Sequence, residues 1–483
     1  MAHGRLGARW DGPAWGGDRE MNGVEAVMWR AEADRVIRSP LLAIEQLDTV
    51  PDWDRFLACH QWAVRVAPRL RQRVVEAPLG LGAPRWSDDP HFDLRFHVWR
   101  AHLPEGTGWP GLMDAAARLA MRPFDRTRPP WEAVLYTGLP DGRSAYLLKI
   151  HHSVTDGLGA VQLLNQLHSR ARERRPDDEM PAPAESPGPA LSSSLDVLTT
   201  QVRRDALAVP GVLRGVGSVV VGALSNPTRA ARSAARYGQS LQRVVGPLDT
   251  AGSPLLAERG VAWRFAALDI PLRDLRAAAK AGGGTVNDAY LAALLGGYRR
   301  YHDALGARLE HMPVAIPISV RRPSDPAGGN RFVGARISAP VGIPDPLRRI
   351  KEVRSLILAA RGEPAMDAVG LVTEAMARLP GALSTQLMVS MTRSNDLQAS
   401  FVPGPREHRF LAGAHIERVY PYAPLPGCPA MITLVTHRDV GCVGVNFDLA
   451  AFTEPELFVR CLADGFAEVL ALHPGSAQPT VRT

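Results

Sequence analysis

Cysteine is scarce in this 483-residue sequence. Its four residues, Cys59, Cys428, Cys442 and Cys461, form no CxxC and no metal-ligand spacing. That argues against a disulfide framework and a cysteine-based metal or redox centre, and fits free thiols in a reducing cytoplasm. Long apolar runs are also missing. A membrane span needs about 18–20 such residues. The best stretch, Gly215 to Leu224, covers about half of that and is broken by Arg214 and by Ser225-Asn226-Pro227. The first twenty residues lack the apolar core of a signal peptide and carry Asp11 and Asp18. They are expected to be a disordered extension ahead of regular patterning from Met21. Lysine is down to three residues, so arginine carries nearly all the positive charge, the mark of a GC-rich coding sequence. No internal repeat is visible.

What is present is an ordinary globular composition, 46% apolar and 22% charged, on a chain whose length suits two domains of about 150–250 residues each. Basic residues exceed acidic ones, 56 to 49, for a net charge of +7. That balance suits phosphate-bearing ligands or an anionic membrane face. No nucleic-acid-binding motif accompanies it, so nucleic acid is not expected as a partner.

Patterning divides the chain into a first domain over 21–172, a linker and crossover over 173–260, a second domain over 261–475 and a tail over 476–483. In the first domain Asn22 and Glu25 stand as a helix N-cap and its N3 partner. Leu41–Leu47 reads as a strand and Pro51–Leu70 as a helix. Residues 133–137 and 144–150 read as neighbouring strands, the second buried on both faces. Arg175–Ser194 is a Pro/Ser/Ala linker. Gln201–Val245 is rich in Ala, Val, Gly and Arg, with two readings: crossover helices with a solvated basic face, or a segment lying on a membrane or lipid-droplet surface. In the second domain, strands are predicted at Trp263–Ile270 and Val314–Ile318, a helix at Asn287–Tyr298, a hairpin from Ile432–Thr436 to Cys442–Phe447, and a closing helix over Phe452–Leu472.

The chemistry concentrates in His151-His152-Ser153-Val154-Thr155-Asp156-Gly157, an HHxxxDG pattern whose fixed positions arise by chance in roughly 0.002 of chains this long. A buried strand leads in, and Leu158, Val161 and Leu164 lead out on a helix. A neutral imidazole takes a proton from an alcohol near pH 7 better than an untuned carboxylate or lysine does. His152 is therefore the candidate base, with its second ring nitrogen expected on a backbone carbonyl of the turn. His151 supports it. Asp156 is expected to hold the turn by pairing with a distant arginine, and Gly157 to supply backbone freedom on leaving the turn.

HHxxxDG is the motif of the CoA-dependent acyltransferase superfamily, in which the second His is the base and the Asp is structural. Further blocks narrow the resemblance. Pro123–Glu132 resembles PLDRxRPLWE, with Pro130 in place of Leu. Met21–Ala26 resembles the N-terminal start of the wax ester synthase/diacylglycerol acyltransferase family, and Asn287-Asp288 its ND motif. Pro317–Arg321 with Gly329–Arg331 resembles its P-V-S-L-R…G-N-R segment. Ser400–Pro405 resembles SNVPGP, with Phe401 in place of Asn. The blocks keep the family's order over about 21–450, and their wording is closest to mycobacterial-type triacylglycerol synthases.

The resemblance implies an α/β (α+β) fold of two chloramphenicol-acetyltransferase-like domains, mixed sheets flanked by helices, joined by a helical crossover. It implies acyl-CoA as co-substrate with no bound cofactor and no metal, and a lipid alcohol as acceptor, diacylglycerol ahead of a fatty alcohol. It places Asn287, Asp288, Ser400, Pro403, Gly404 and Trp131 as substrate-binding or scaffold residues. Plainer roles stand beside these: a capping box at Thr285–Asp288, a type II turn at Pro403-Gly404, and a core position for Trp131. Phe401 removes an amide able to bond substrate or orient its loop. Two further functions stay open: another acceptor, such as a polyketide or glycolipid hydroxyl, or a non-catalytic protein of lipid droplets. The expected location is the cytoplasm, at the inner membrane face or lipid droplets.

Overall fold

The computed structural model describes residues 15–173 (apart from 17, 35, 36 and 81), 193–200, 250–321, 327–363 and 392–482, with isolated positions at 203, 236, 239, 240, 248, 373, 376, 383, 385 and 386. Almost all of 201–245 lies outside these, as do residues 1–14. Two seven-stranded sheets organise the chain. The first runs in the order Val98–His102, Trp131–Thr137, Ser144–His151, Pro40–Leu47, Ala414–Tyr422, Phe410–Leu411, His168–Ser169. The second runs Phe332–Pro340, His311–Ser319, Leu397–Val402, Ala430–His437, Val440–Asp448, Trp263–Pro271, Thr480–Arg482.

The expected strand at 144–150 is central to the first sheet. All eight residues of Ser144–His151 are buried, as a strand covered on both faces requires. Lys149 sits in it fully buried, a costly place for a cation unless its donors are met. Its Nζ donates to the Arg122 carbonyl at 2.7 Å and to Glu132 Oε1 at 3.3 Å, and lies 4.1 Å from the centre of the Phe124 ring. The PLDRxRPLWE-like block thus holds the strand that carries the motif. In the second lobe Thr285 and Asp288 form a reciprocal capping box that opens the helix Val286–Ala304. That helix crosses Pro455–Leu470 in backbone contact. A Cβ on Gly465 would stand 2.4 Å from the Ala293 carbonyl and the Gly297 nitrogen.

Four boundaries differ from the sequence expectation. Residues 15–20 pack onto the fold instead of trailing from it: Trp15 is buried, the Gly16 N–H donates to the Ala327 carbonyl, and Glu20 bridges Arg85. One tryptophan among glycines carries no periodicity to betray this. Residues 250–260, counted with the linker, close the second lobe, with Leu256 fully buried. The tail supplies an edge strand, Val481 opposite Leu268, too short to show alternation. Most consequentially, Ala414–Tyr422 leaves the second lobe and pairs with Pro40–Leu47 in the first sheet, Ile44 opposite Tyr420. Its Tyr422 ring stacks on Phe265 of the second sheet at 4.2 Å, so one strand belongs to both cores.

Candidate active site

The Ser144–His151 strand ends at the two histidines, and their environments separate their uses. His151 is completely buried, with Trp29 and Phe124 edge-on at 5.1 and 5.6 Å. Its Nδ1 accepts the Ser153 backbone N–H at 3.0 Å, which leaves Nε2 facing Glu32 at 3.6 Å. Burial pushes its pKa down to about 4, against the pull of Glu32. It is a neutral core group and does not border the cavity.

His152 is half-buried and opens onto a cavity of about 380 Å³ between the lobes. Burial lowers its pKa from the ordinary imidazole value, keeping the ring neutral at pH 7. The ring bonds the backbone carbonyl of His152 itself, the turn carbonyl expected of it, and a side chain from 178 residues away joins it: Nδ1 lies 3.0 Å from Asn330 Oδ1, while Asn330 Nδ2 donates to the His152 carbonyl at 2.7 Å. An amide oxygen only accepts, so this contact assigns the proton to Nδ1 and leaves Nε2 as the basic nitrogen. Asn330 is itself held. Glu25 Oε1 accepts its N–H at 3.0 Å, and Asn22 Nδ2 donates to its carbonyl at 3.2 Å. Asn22 and Glu25 are also the capping box of the first helix. Three distant sequence blocks therefore meet on one imidazole.

Asp156 faces away from the reacting end and ties the loop down. Its Oδ1 caps the Gly157–Leu167 helix by accepting the Gly159 N–H at 2.8 Å. Its Oδ2 accepts from Arg321 Nη2 at 2.9 Å and from the Arg331 N–H at 3.1 Å. Arg321 is the distant arginine the motif called for, and it adds donors to the Gly328 and Gly329 carbonyls. Gly157 has no left-handed backbone, so the freedom expected of it is not used. Space is what it supplies, since a Cβ there would lie 3.0 Å from Val402 across the lobe junction.

The other expected residues divide. Ser400 lines the cavity, as does Phe401, although Phe401 also packs against the second lobe's core. Gly404 is not left-handed, which excludes a type II turn with Gly404 third. It is small because a Cβ would stand 2.1 Å from the Thr436 carbonyl. Pro403 is outside the cavity lining, as are Asn287 and Asp288, and the capping box is what Asp288 serves. Trp131 is a core residue, stacked on His97 at 4.7 Å with its Nε1 donating to the Leu70 carbonyl. Sequence reasoning missed Asn330, Glu25 and Arg321 as site residues; each stood in a quoted block, but nothing in the chain order says which blocks touch. No cluster of three or more metal-binding side chains occurs among the described residues, and none of their helices is long and apolar enough to cross a membrane.

Two lobes closing on a strand-end HHxxxDG loop, with a neutral histidine facing an apolar cavity, define an acyltransferase of the chloramphenicol acetyltransferase-like class. Residues 21–290 match the wax ester synthase/diacylglycerol acyltransferase catalytic domain, and residues 328–469 match the WS/DGAT C-terminal domain. The chain is 40% identical over 462 residues to a Mycobacterium tuberculosis protein named as a diacylglycerol O-acyltransferase, covering 95% of this chain and 93% of that one. It is 28% identical over 453 residues to a second from the same organism, covering 91% and 94%. In fold it resembles the wax ester synthase/diacylglycerol acyltransferase of Marinobacter aquaeolei VT8, with TM-score 0.62 at 20% identity over 94% of this chain and 99% of that one. It also resembles the first condensation domain of the CDA synthetase, with TM-score 0.56 at 18% identity over 97% and 99%. The chain belongs to the wax ester synthase/diacylglycerol acyltransferase family and is an acyltransferase.

Proposed function

We propose that this protein moves a long-chain acyl group from acyl-CoA to the free hydroxyl of diacylglycerol, forming triacylglycerol, with His152 as general base. The observation that carries this is the Asn330-held ring of His152 at the edge of an apolar inter-lobe cavity. His152 Nε2 takes the hydroxyl proton as the oxygen attacks the thioester carbonyl. The tetrahedral intermediate collapses by breaking the C–S bond. The imidazolium returns its proton to the departing CoA thiolate, so the base is regenerated and no acyl-enzyme forms. Asp156 acts through Arg321 and the 327–331 loop, holding the turn and not the proton. Ser400 borders the substrate; Asp288, Pro403, Gly404 and Trp131 are scaffold.

The names carried by the relatives support diacylglycerol as acceptor, and a fatty alcohol giving wax ester is the second choice. A polyketide or glycolipid hydroxyl would need the same base. Access to lipid substrates suits a peripheral position on a membrane or droplet. The test is thiol release from palmitoyl-CoA with dioleoylglycerol or hexadecanol. Acceptor-dependent release lost in His152→Ala is the expected result. Release untouched by that substitution refutes His152 as base, and no release with either alcohol refutes the acceptor assignment.

A further inference from the structure

At one end the apolar cavity gives way to polar residues, and three elements make the change together. Along Pro40–Leu47, Leu41 and Ala43 border the cavity, and the next residue on that face is Glu45. Along Ala430–His437, Met431, Thr433 and Val435 border it, and the next on that face is His437. Along the helix Gly157–Leu167, Val161 and Leu164 border it, and one turn past Leu164 comes His168. Glu45, His168 and His437, with Asn165 and Arg409, line a chamber of about 10 Å³. Val161, Leu164, Val419 and Val435 line both spaces, so a single apolar layer lies between them.

Buried polar groups ordinarily find partners, yet here part of the set is left over. Glu45 and His437 are at most 1% exposed, and the His168 side chain is buried as well. His168 Nε2 donates to Glu45 at 3.0 Å, and His437 Nε2 donates to the Ile416 carbonyl at 3.0 Å. Each ring therefore carries a proton on Nε2. Their Nδ1 atoms are buried and have no hydrogen-bond partner among the described residues, and the same holds for the Nε of Arg409. Burial lowers the pKa of His437 to about 4, so its Nδ1 is a bare acceptor at pH 7. Leaving such atoms unmet costs free energy. An acceptor on His437 and a donor on Arg409 are the complement of a hydroxyl, which both gives and takes a hydrogen bond. The volume is room for one water-sized group, too little for a carboxylate or a phosphate. The guanidinium of Arg409 at the wall argues against a metal ion.

Depth selects what carries the hydroxyl. The His152 N–H donates to the Ser39 carbonyl, and Glu45 lies six residues further along that strand, about 20 Å. From Gly157, beside the motif, to His168 is eleven residues, about 16 Å along a helix. A saturated chain advances about 1.25 Å per carbon by ordinary bond lengths and angles, so about 13–16 carbons bridge the gap. We infer that the chamber is a binding site for a hydroxyl at the far end of a long aliphatic substrate, seated between His437 Nδ1 and Arg409 Nε. It gives the enzyme a means of telling a hydroxyl-ended long chain from a methyl-ended one, since a methyl group there would leave these atoms unmet.

This rests on the reading that a long aliphatic substrate enters the cavity with its reacting group at His152, so the test uses binding as well as turnover. Calorimetric titration of the intact protein compares palmitate with ω-hydroxypalmitate, and decanoate with ω-hydroxydecanoate. Wild type should bind ω-hydroxypalmitate at least as tightly as palmitate. The ten-carbon hydroxy acid is too short to reach the chamber and should bind more weakly than decanoate, its hydroxyl being buried without a partner. Arg409→Met, at a half-buried position the fold tolerates, should lower the preference for ω-hydroxypalmitate by about 10–100-fold, the range of a hydrogen bond to a charged group. His437→Leu should lower it by about 2–10-fold. Neither should weaken palmitate. A wild type that binds ω-hydroxypalmitate less tightly than palmitate overturns the site, as does a preference that survives both substitutions, or failure to bind any of the four acids. Turnover then names the substrate. Better use of ω-hydroxypalmitoyl-CoA than of palmitoyl-CoA places the donor's acyl group in the chamber; better use of hexadecanediol than of hexadecanol, allowing for its two equivalent ends, places the acceptor there. The binding pattern without any acyl transfer upholds the chamber and counts against the proposed reaction only.

Discussion

Both lobes are built on seven strands, yet they contribute opposite things to the site. The first supplies titratable groups held in tight networks: His60, His151 and His152, with Glu25 and Lys149 buried among them. The second supplies a smooth sheet face and the loop around Asn330 that reaches across to His152. Neither lobe has a working site alone. The proton is placed by an amide from the other half, and the motif aspartate is neutralised by an arginine from the other half. A site assembled this way needs the lobes locked, and the shared strand Ala414–Tyr422 does the locking. The same division appears within the motif. Two adjacent histidines of one sequence differ because strand alternation turns one into the core and the turn leaves the other at the cavity.

The largest effect should come from separating those two residues. His152→Ala is expected to lower kcat/KM by about 1,000-fold or more, the share of a general base, with the melting temperature unchanged. His151→Ala should do the reverse, costing about 2–4 kcal/mol as a buried side chain packed on Trp29 and Phe124 is lost. Paired melting curves and thiol-release rates decide it; equal activity losses at equal stability would erase the distinction. Next comes the cross-lobe tether. Asn330→Ala removes the acceptor that orients the ring and should cost about 10–100-fold in kcat. Its bond also favours protonated His152, so the acid limb of the rate profile, already below the ordinary imidazole value, should move lower still. A limb that moves up, or a loss confined to KM, would contradict the tautomer assignment.

Acid should then tell the lobes apart. His60 and His151 are held at about 4 by burial, and both lie in the first lobe; the second has His437 at about 4 and His302 below its ordinary value, set against Asp396. Unfolded imidazoles take up protons as pH falls through about 6.5 while the folded ones do not. Their contribution is therefore complete above pH 6.5 and declines as pH falls towards 4. Asp396, in the second lobe, has the opposite sign: burial raises its pKa to about 6, so its contribution is full at low pH and is lost as pH rises through 6. Hydrogen exchange at pH 5 against pH 7.5 should show protection falling first in Ser144–His151 and later in His311–Ser319. Loss in the reverse order would mean that these groups do not govern acid stability.

Local chemistry was legible in the sequence wherever it is encoded within a few residues. The capping boxes at Asn22–Glu25 and Thr285–Asp288, the buried strand before the motif and the hairpin from Ile432–Thr436 to Cys442–Phe447 all depend on neighbours in the chain. The HHxxxDG loop and its role as a turn were legible for the same reason. What lay beyond reach was encoded in contacts across 160 residues or more. Asn330 on His152, Arg321 on Asp156 and Ala414–Tyr422 in the first sheet leave no periodic trace, because each depends on where the lobes close. Glycines were misread in one consistent way. Gly157 and Gly404 look like turn residues in sequence, but each is small because another strand passes against it.

The smallest effect tests whether a family block can be purely structural. Asp288 sits in a block shared with the family, yet its Oδ2 accepts from Thr285 N at 2.7 Å and Oγ1 at 2.9 Å, and it stays out of the cavity. Asp288→Ala should therefore cost about 1 kcal/mol through the lost cap and lower Tm by about 2–4 °C for a unit of this size. Thiol release per folded molecule should be unchanged. A kcat/KM loss of more than about 10-fold at unaltered Tm would move the ND block from the helix end to the reaction, and would mean that the second lobe supplies more to catalysis than a wall and a tether.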